Sequence, residues 1–560
     1  MAKLQGKTLF FITSPRTPLK MVPEIQILIQ NLSGKGWNTK TQEEFIKKLV
    51  SSPDFEGNGC PKDMAFSARD RINRGPKALG FVDLKPEIQL TDAGKMFLDN
   101  NLCEEALLRQ LLKFQLPSPY HTETNDVSGI FFIKPYLEIF RLIDELGSVT
   151  FDELMIFGMQ LTDYRKFEEI VSKILKFRAA KNNNHGSYKE FMCNYRDQEL
   201  RNIYEEEICE GKTKTRESQD ASIQKFIKTK ASNIRDYTDA CFRYLRATGM
   251  VSISQKGRSL SISSDKKEDV KFFLSNVDRA PCLIDEEEEY KKYLFDSTLP
   301  VLYTDNRDNL ISELKKYDAN FDYAISETVE LKKKLHIAVE QNKTDILNKH
   351  VERLKAYKEY SDILNVYGDI SKNNYYDTPL MFEWNTWRAM TMIDGGNIMA
   401  NLKFDDNGQP MNTAGGKMPD IVCDYGDFYL TVEVTMQSGM RQYESESEPV
   451  SRHLAKVKKS YNKDAYCFFI APKINESCIA HFYMLHKTNI EYYGGESVII
   501  PLELEVFEKM VEQSGKAKKT PSPADIRRLC TVSMDIAKRT NSEKEWYNAI
   551  KNEALNWLTA

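Results

Sequence analysis

The chain has 560 residues, of which 41% are hydrophobic and 29% are charged, and its formal net charge is −4. Such a length exceeds one hydrophobic core and predicts roughly two to four domains of an ordinary globular protein. No run of about 18 apolar residues occurs, so no membrane span is expected, and the apolar stretch near the N-terminus is too short for a signal peptide. The cysteines form no CxxC pair and no Cys/His cluster, which argues against structural zinc and a disulfide framework. The net charge excludes no class of partner, because basic side chains can gather on one face.

Two similar passages in the first half of the chain, at residues 65–98 and 232–263, each combine a helix-like segment with a glycine and two short strand-like runs. Gly80 and Gly249 are typical of residues that end helices. The paired runs are Phe81-Val82 with Ile88-Gln89-Leu90, and Val251-Ser252-Ile253 with Leu260-Ser261-Ile262, with QKGR at the second tip. Since a helix followed by a basic hairpin is typical of a winged helix, the passages predict two such DNA-binding subdomains.

The basic residues of these passages admit two interpretations. Any single arginine on a helix is explained simply as part of a solvated face. Gathered on a recognition helix, the same side chains can donate to guanine edges and to phosphates. The candidate DNA-binding residues are Arg69, Asp70, Arg71, Arg74, Arg243, Lys256 and Arg258.

Residues 285–375 are rich in charge and contain apolar residues at helical spacing. The apolar series are Leu331, Leu335 and Val339, and then Leu347, Val351 and Leu354. They predict amphipathic helices with a narrow apolar stripe. A helical connector between two functional halves fits this pattern best, and a dimerising coiled coil is the alternative, although its heptads are short.

From residue 376 onward the pattern becomes α/β. Four apolar runs, DIVC, FYLTVEVT, YCFFIA and SVIIPLELEV, predict strands. The segment PVSRHLAKVKKSY lies between the second and third runs and predicts a helix, with Pro449 in its first turn and glutamates just before its positive end.

Glu433 stands in the middle of an apolar strand. Strand alternation predicts a core face made of Phe428, Leu430, Val432 and Val434, and a second face made of Tyr429, Thr431, Glu433 and Thr435. An isolated carboxylate is costly to bury, so Glu433 must be paired, neutral or bound to a metal. The turn DYGD predicts a hairpin that brings Asp420 close to Glu433.

Two interpretations of this acidic pair are open. Glu433 can pair with a lysine or arginine at a sheet edge, as ion pairs often explain a buried charge. Alternatively, a cation lies between the two carboxylates, because carboxylates so close repel each other. Mg²⁺, with Mn²⁺ as a substitute, suits an oxygen-rich site that binds phosphate and activates water for phosphodiester displacement.

The acidic pair belongs to a longer pattern. Pro419-Asp420 followed by Glu433-Val434-Thr435 resembles the PD-(D/E)xK nuclease superfamily, except that Thr435 stands where that superfamily has lysine. The chain also resembles the AlwI-type family of Type IIS restriction and nicking endonucleases, which itself has E-V-T. This second resemblance is carried by SPRTP at 14–18, AFSARDRINRGPKALGFVD, LTDAGKMFLDNN, FEWNTW at 382–387, PD(x)₁₂EVT at 419–435, ESEPVSRH at 446–453 and FFIAPKIN at 468–475.

The resemblance implies a set of site residues. The implied catalytic residues are Glu383, Asp420, Glu433, Glu446 and His453, the metal ligands are Asp420, Glu433, Glu383 and Val434, and the opening motif adds Arg16 to the DNA-binding candidates. His453 is expected to polarise the phosphate or to assist proton transfer in place of the missing lysine. The alternative is a helix histidine that is satisfied by Glu446 or Glu448.

The resemblance also implies an architecture. The expected fold class is a multidomain α+β protein with winged-helix or helix-turn-helix-like recognition subdomains, a helical linker and a C-terminal α/β nuclease domain with a mixed sheet. The expected boundaries are 1–130 and 131–284 for the recognition subdomains, 285–375 for the linker and 376–560 for the nuclease domain. The linker is expected to set the distance between recognition and cleavage, a task that suits rigid helices.

The resemblance implies an Mg²⁺-dependent endonuclease that binds a short asymmetric site in double-stranded DNA, of the GAGTC or GGATC type, and cuts downstream in the bacterial cytoplasm. Cutting of both strands would need a second copy or a small cleavage subunit, and nicking of one strand would not. A cognate DNA methyltransferase is the expected companion. The alternatives are a DNA-binding regulator with a decayed nuclease domain and a repair nuclease that reads DNA structure.

Overall fold

The computed structural model describes residues 2–52, 55, 59–254, 259–317, 326–375, 377–394, 396–404, 410–414, 418–517 and 521–558. The described residues form two compact units, one that extends to Glu340 and one that starts at Gln341. Helices predominate, and a five-stranded mixed sheet lies in the second unit, so the predicted mixed α and β character is confirmed. The predicted four-part division stays a prediction. Among the described helices, none has both the length and the apolar character needed to cross a bilayer.

The first unit consists of helices with small sheets between them. Its helices are α1 (Met21–Leu32), α2 (Thr39–Val50), α3 (Met64–Ile72), α4 (Asp92–Phe97), α5 (Cys103–Lys113), α6 (Pro135–Leu146), α7 (Phe151–Ile156), α8 (Phe167–Asn182), α9 (Tyr188–Ile203), α10 (Glu205–Cys209), α11 (Ile223–Arg246), α12 (Lys267–Asn276), α13 (Glu287–Phe295) and α14 (Arg307–Lys315). Its strands are β1 (Ala2–Leu4), β2 (Val82–Asp83), β3 (Gln89–Leu90), β4 (His121–Glu123), β5 (Val149–Thr150), β6 (Val251–Ile253) and β7 (Ser259–Ile262).

The first repeated passage has the predicted order of helix, glycine and hairpin. The Asp63 carboxylate accepts a hydrogen bond from the Phe66 N–H at 2.7 Å and so caps α3. A π-helical turn, Asn73–Lys77, extends α3, and Gly80 then adopts a φ of 73°, which favours glycine. Strands β2 and β3 follow as an antiparallel pair. The assignment of this unit as a winged helix stays a prediction.

The second passage has the same order. Helix α11 ends at Arg246, Gly249 has a φ of 71°, and β6 and β7 pair antiparallel. Strand β5 joins the other side of β7, which gives a three-stranded sheet. The predicted hairpin tip, residues 255–258, lies outside the described residues, and with it Lys256 and Arg258.

The predicted connector is helical where it is described. After α14 the chain forms α15 (Thr328–Lys355) and α16 (Tyr360–Ser371). Leu331, in the first apolar series, packs with Leu310 and Leu314 of the first unit. Leu354, in the second series, belongs to the core of the second unit. The apolar residues at the two ends of α15 therefore belong to two different hydrophobic clusters.

The second unit is a mixed sheet with helices packed against it. Its strands are β8 (Asn397–Ala400), β9 (Lys403–Phe404), β10 (Pro410–Asn412), β11 (Ile421–Asp424), β12 (Phe428–Val434), β13 (Asp464–Ala471) and β14 (Ile499–Glu503). Its further helices are α17 (Thr378–Asp394), α18 (Met440–Tyr461), α19 (Glu476–Lys487), α20 (Leu504–Lys516), α21 (Pro523–Arg539) and α22 (Glu543–Leu555). The sheet order is β14-β13-β12-β11-β8, with β12, β13 and β14 parallel and β11 antiparallel to both of its neighbours.

Strand β12 is central and buried on both faces. Tyr429 and Thr431, on the face predicted to be the less apolar one, are as inaccessible as Leu430 and Val432 on the predicted core face. The predicted core face is therefore buried, and the face that carries Glu433 is buried as well. Helices α17 and α18 both pack on this strand, and strands within a helix-covered parallel sheet are buried on both sides.

Two predicted elements have different boundaries in the structure. Helix α18 begins at Met440, so Pro449 lies in the helix interior and not in the first turn. Gly439, with a φ of 63°, turns the chain out of β12, and buried Gln442 holds the first turn by donating to the carbonyls of Gln437 and Lys473. The run SVIIPLELEV is strand only as far as Glu503, because the apolar spacing after that point is helical and forms α20.

Candidate functional site

The carboxylates of Asp420 and Glu433 lie at one end of the β11–β12 hairpin. Ile421 pairs with Val432 in the antiparallel register, so Asp420 and Glu433 come next as opposite residues. Opposite residues of an antiparallel pair place their side chains on the same face. The Val434 N–H donates to Asp420 Oδ2 at 2.7 Å, which holds the aspartate against β12. The predicted convergence of the two carboxylates is confirmed.

Glu383 reaches this end of the sheet from α17. The Trp387 indole N–H donates to the carbonyl of Ile398 in β8 at 3.1 Å and so fastens the helix to the edge strand. Buried Glu383 accepts a hydrogen bond from the Ala414 N–H at 2.9 Å. The Asp420 charge raises the pKa of Glu383, after the larger effect of burial, so the two groups are electrostatic neighbours.

Glu446 and His453 reach the site from α18. They are seven residues apart, which is close to two helical turns and places both on one face of the helix. His453 Nδ1 lies 2.8 Å from Glu433 Oε1, and the Thr435 hydroxyl donates to Glu446 Oε1 at 3.0 Å. Thr435, the residue in the position of the superfamily lysine, therefore holds Glu446. His453 contacts Glu433, whereas the alternative interpretation expected Glu446 or Glu448 as its partner.

Neighbouring carboxylates destabilise the charged forms of three members of this cluster, Glu383, Asp420 and Glu433. Burial is the largest cause of a raised pKa at each of Glu383, Asp420, Glu433 and Glu446. Neighbouring carboxylates add to it, since Glu433 raises the pKa of Asp420, while Glu446 and Glu383 raise that of Glu433. The cluster therefore stores unfavourable charge repulsion, which a bound cation would relieve.

The alternative interpretation, a sheet-edge ion pair for Glu433, is not what the structure shows. Strand β12 lies between β11 and β13, so Glu433 is not at an edge. Within the described ranges, no lysine or arginine forms an ion pair with any of the four carboxylates, and the partner of Glu433 is His453. Glu433 is therefore paired with a histidine of α18 and not with a basic residue at a sheet edge.

The donor set fits a magnesium ion in part. Among the side chains that the structure describes, no three of the His, Cys, Asp or Glu type form a ready-made metal cage. Mg²⁺ does not require one, because it is commonly held by one or two carboxylates and fills its other positions with water and substrate phosphate. Asp420 and Glu433 would supply the hard oxygen donors for that arrangement. Val434 contributes its N–H to Asp420, and its predicted role as a ligand stays a prediction.

Comparison with known proteins gives the family. The model of the AlwI restriction endonuclease family matches residues 77–510. The chain belongs to the AlwI restriction endonuclease family. Restriction endonucleases cleave DNA, so DNA endonuclease activity is what this membership implies.

Two solved structures that resemble this AlwI-family chain are also restriction endonucleases. The small subunit of the heterodimeric restriction endonuclease R.BspD6I is 26% identical, with 36% of this chain and 96% of that chain covered and a TM-score of 0.28. Restriction endonuclease FokI is 13% identical, with 94% of this chain and 98% of that chain covered and a TM-score of 0.22. A search of curated proteins gave no match.

The first unit of the AlwI-family chain contains a large basic cavity of about 800 Å³. Residues of α3 and its π-turn line one side, residues of α11 line another, and the N-terminal segment contributes Lys3 to Arg16. Among the described residues that line it, three are acidic, Asp70, Glu217 and Asp236. The basic side chains that line it are Lys3, Arg16, Arg69, Arg74, Lys77, Lys214, Arg216 and Lys230. The cavity is therefore the candidate nucleic-acid interface, because phosphates are bound by such clusters.

The predicted DNA-binding residues fall into two groups. Arg16, Arg69, Asp70 and Arg74 line the cavity. Arg71 instead forms an ion pair with buried Glu24, and Arg243 pairs with Asp239 one turn earlier on α11, at 3.1 Å. These last two arginines are used within the fold, and their predicted contact with DNA stays a prediction.

Several cavity residues were missed by the sequence analysis. Four of them lie in segments without a motif: Lys3, Lys214, Arg216 and Lys230. The fifth, Lys77, lies just after the arginines of residues 69–74 that were predicted to bind DNA. The i, i+3, i+7 spacing of Phe66, Arg69 and Asn73 was available as a signal for one helix face.

Proposed function

We propose that the chain is an Mg²⁺-dependent endonuclease that binds a short asymmetric site in double-stranded DNA and hydrolyses phosphodiester bonds a few base pairs downstream. The observation that carries the proposal is the convergence of Glu383, Asp420, Glu433, Glu446 and His453 at one end of the sheet in an AlwI-family chain. The DNA sequence that the chain recognises is of the GAGTC or GGATC type, and Mn²⁺ can serve as the cofactor in place of Mg²⁺.

In this proposal Asp420 and Glu433 hold the ion, and Glu383 adds negative charge from α17. The bound ion supplies charge stabilisation for the phosphate and a lowered pKa for a water molecule. The N–H of Val434 keeps the Asp420 carboxylate in place, and the 2.8 Å contact between His453 and Glu433 fixes the orientation of both side chains. Such second contacts determine how well a ligand is oriented.

His453 has the second role in the proposal. Its ring lies beside Glu433, so it is placed to polarise the scissile phosphate or to move a proton during hydrolysis. Thr435 cannot do this and instead holds Glu446. The function of the superfamily lysine is thus assigned to α18 and not to β12.

One described carboxylate cluster can act on one DNA strand per engagement. We therefore propose that double-strand cleavage requires a second copy of the chain or a separate small cleavage subunit, and that the chain alone nicks. A cognate methyltransferase would protect the host DNA in the bacterial cytoplasm.

A plasmid digest tests the proposal. Supercoiled plasmid is incubated with the purified chain and Mg²⁺, and the breaks on both strands are mapped by run-off sequencing. Breaks at a fixed offset from one short sequence are expected, and the Glu433→Gln variant and an EDTA control should leave the plasmid intact. Breaks on one strand indicate a nickase, and breaks on both indicate a dimer.

Two results would contradict the proposal. If the plasmid stays intact with Mg²⁺ and with Mn²⁺ while the chain still binds one sequence, the chain is a DNA-binding regulator. If cleavage follows DNA structure and no common sequence accompanies the breaks, it is a repair nuclease.

A further inference from the structure

Helix α3 and the π-helical turn that extends it carry three side chains of different chemistry toward the basic cavity. Phe66, Arg69 and Asn73 all line it, and their spacing places them within one narrow stripe of the helix. Phe66 is 53% exposed, so its ring is accessible to a ligand in the cavity. A stripe of this kind, next to a basic surface, is what a helix needs to contact base edges in a groove.

Two of these side chains form hydrogen bonds with residues of α2 and of the segment just before it. Buried Gln42 of α2 accepts a hydrogen bond from Arg69 Nη1 at 2.8 Å. The Trp37 indole N–H, just before α2, donates to Asn73 Oδ1 at 3.1 Å. No carboxylate forms an ion pair with Arg69 in the part of the chain that the structure describes. Arg69 thus keeps further N–H donors for a ligand while one contact fixes its direction.

The other charged groups on this face are used differently. Asp70 accepts a hydrogen bond from the Ser14 hydroxyl at 2.9 Å and pairs with Arg74 at 2.8 Å, so both are occupied within the fold. Arg16 pairs with Asp236 of α11 at 3.0 Å. The segment around residues 14–16 is therefore fastened to α3 and to α11, the two helices that line the cavity.

We propose that Phe66, Arg69 and Asn73 form a base-reading triad, with Gln42 and Trp37 as positioning residues. Arg69 suits the O6 and N7 acceptors of guanine, Asn73 suits the N6 and N7 edge of adenine, and Phe66 suits the methyl group of thymine. Lys77, Arg216 and Lys230 line the same cavity and bind phosphates. The inference rests on the proposed function, because it assumes a sequence-specific DNA site.

The test measures binding of the full chain to a duplex with the mapped site and to duplexes with each base pair changed in turn. Cleavage is prevented by the Glu433→Gln substitution in all samples. Arg69→Ala and Asn73→Ala should each weaken binding to the site by about 5- to 150-fold and remove discrimination at one base pair. Binding to unrelated duplex should change by less than about twofold, because phosphate contacts dominate it.

The positioning residues have their own readout. Gln42→Leu should lower the ratio of specific to non-specific affinity at the Arg69 base pair, and Gln42→Glu, which keeps an acceptor, should restore it. Lys230→Gln is the matched control, because the loss of a phosphate contact should weaken binding to all sequences alike and reduce the salt dependence by about one unit. Arg69→Gln serves as a second variant at position 69.

The outcomes separate two failures. If the parent chain discriminates among the duplexes but the Arg69 and Asn73 variants keep its specificity profile, or lose affinity equally on all sequences, the triad is wrong and the proposed function stands. If the parent chain shows no sequence discrimination and the unsubstituted chain cuts at no fixed offset, both are wrong.

Discussion

Replacement of Glu433 by glutamine should stabilise the metal-free protein while it abolishes cleavage. The substitution removes one buried charge from a group of carboxylates that raise one another's pKa, and the amide oxygen can still accept from His453. Stabilising substitutions of this kind contribute about 0.5–2 kcal/mol. For a unit of roughly 150–250 residues, 1 kcal/mol corresponds to about 2–4 °C in Tm.

Magnesium should reverse the order of the two proteins. An ion present at about 100 times its Kd adds about 2.7 kcal/mol to the free energy of unfolding, which is about 5–10 °C for such a unit. Glu433→Gln lacks one of the two proposed ligands and should gain little. The variant therefore melts above the wild type in EDTA and below it in excess Mg²⁺, with a loss of cleavage on the order of 10³-fold or more.

Tryptophan fluorescence is a suitable assay. Four of the five tryptophans, at positions 384, 387, 546 and 557, lie in the second unit, so the signal reports mainly on that unit. Glu503→Gln is the matched control, because Glu503 pairs with Lys551 at 2.6 Å and its loss should not stabilise. A variant that melts below the wild type in EDTA would refute the argument from like charges. Equal stabilisation of both proteins by Mg²⁺ would place the ion elsewhere.

Three further predictions concern stability. Burial lowers the pKa of His486 to about 4, so the unfolded chain binds more protons than the folded chain below about pH 6.5. The free energy of unfolding should therefore fall by up to about 3 kcal/mol as the pH drops from about 6.5 to 4. Urea midpoints measured across this pH range should change less for His486→Gln than for the wild type. Arg388→Met should cost about 1–3 kcal/mol, because it removes a buried cation 2.8 Å from Glu359 while His350 and Arg353 remain beside that carboxylate, and an unchanged urea midpoint would contradict this. Gly94→Ala should lower the Tm, because its Cβ would lie 2.0 Å from a backbone carbonyl, whereas Gly368→Ala, in open space within α16, should raise stability by up to about 1 kcal/mol; circular dichroism melts compare the two.

The carboxylate pair shows what local pattern can predict. Asp420 and Glu433 lie on adjacent strands joined by a tight turn, so alternation and turn chemistry were enough to bring them together. The four main strands and the two helix–glycine–hairpin passages were found for the same reason. At the start of α18 and at the end of β14, the sequence contains competing signals for where the element begins or ends. The predicted boundaries there were wrong, because the packing of the helices sets them.

The other residues of the site could not be predicted from the spacing of residues in the sequence. Glu383 and His453 received their site roles from the family resemblance, because nothing in the chain's periodicity links α17 and α18 to the end of β12. The inward ion pair of Arg71 with Glu24 and the support of Arg69 by Gln42 were likewise invisible. Arg69 and Arg71, two residues apart on one helix, thus have different uses, which only their neighbours in space reveal.

The sequence by itself determined the α and β segments, the hairpin that joins Asp420 to Glu433 and, through its motifs, the family. The tertiary structure decided which carboxylates share a site, which histidine contacts Glu433 and which basic side chains line one cavity. The physical reason is that periodicity and turn chemistry act between neighbours in the chain. Burial, charge repulsion and cavity formation instead depend on segments far apart in the sequence that helix and sheet packing brings together.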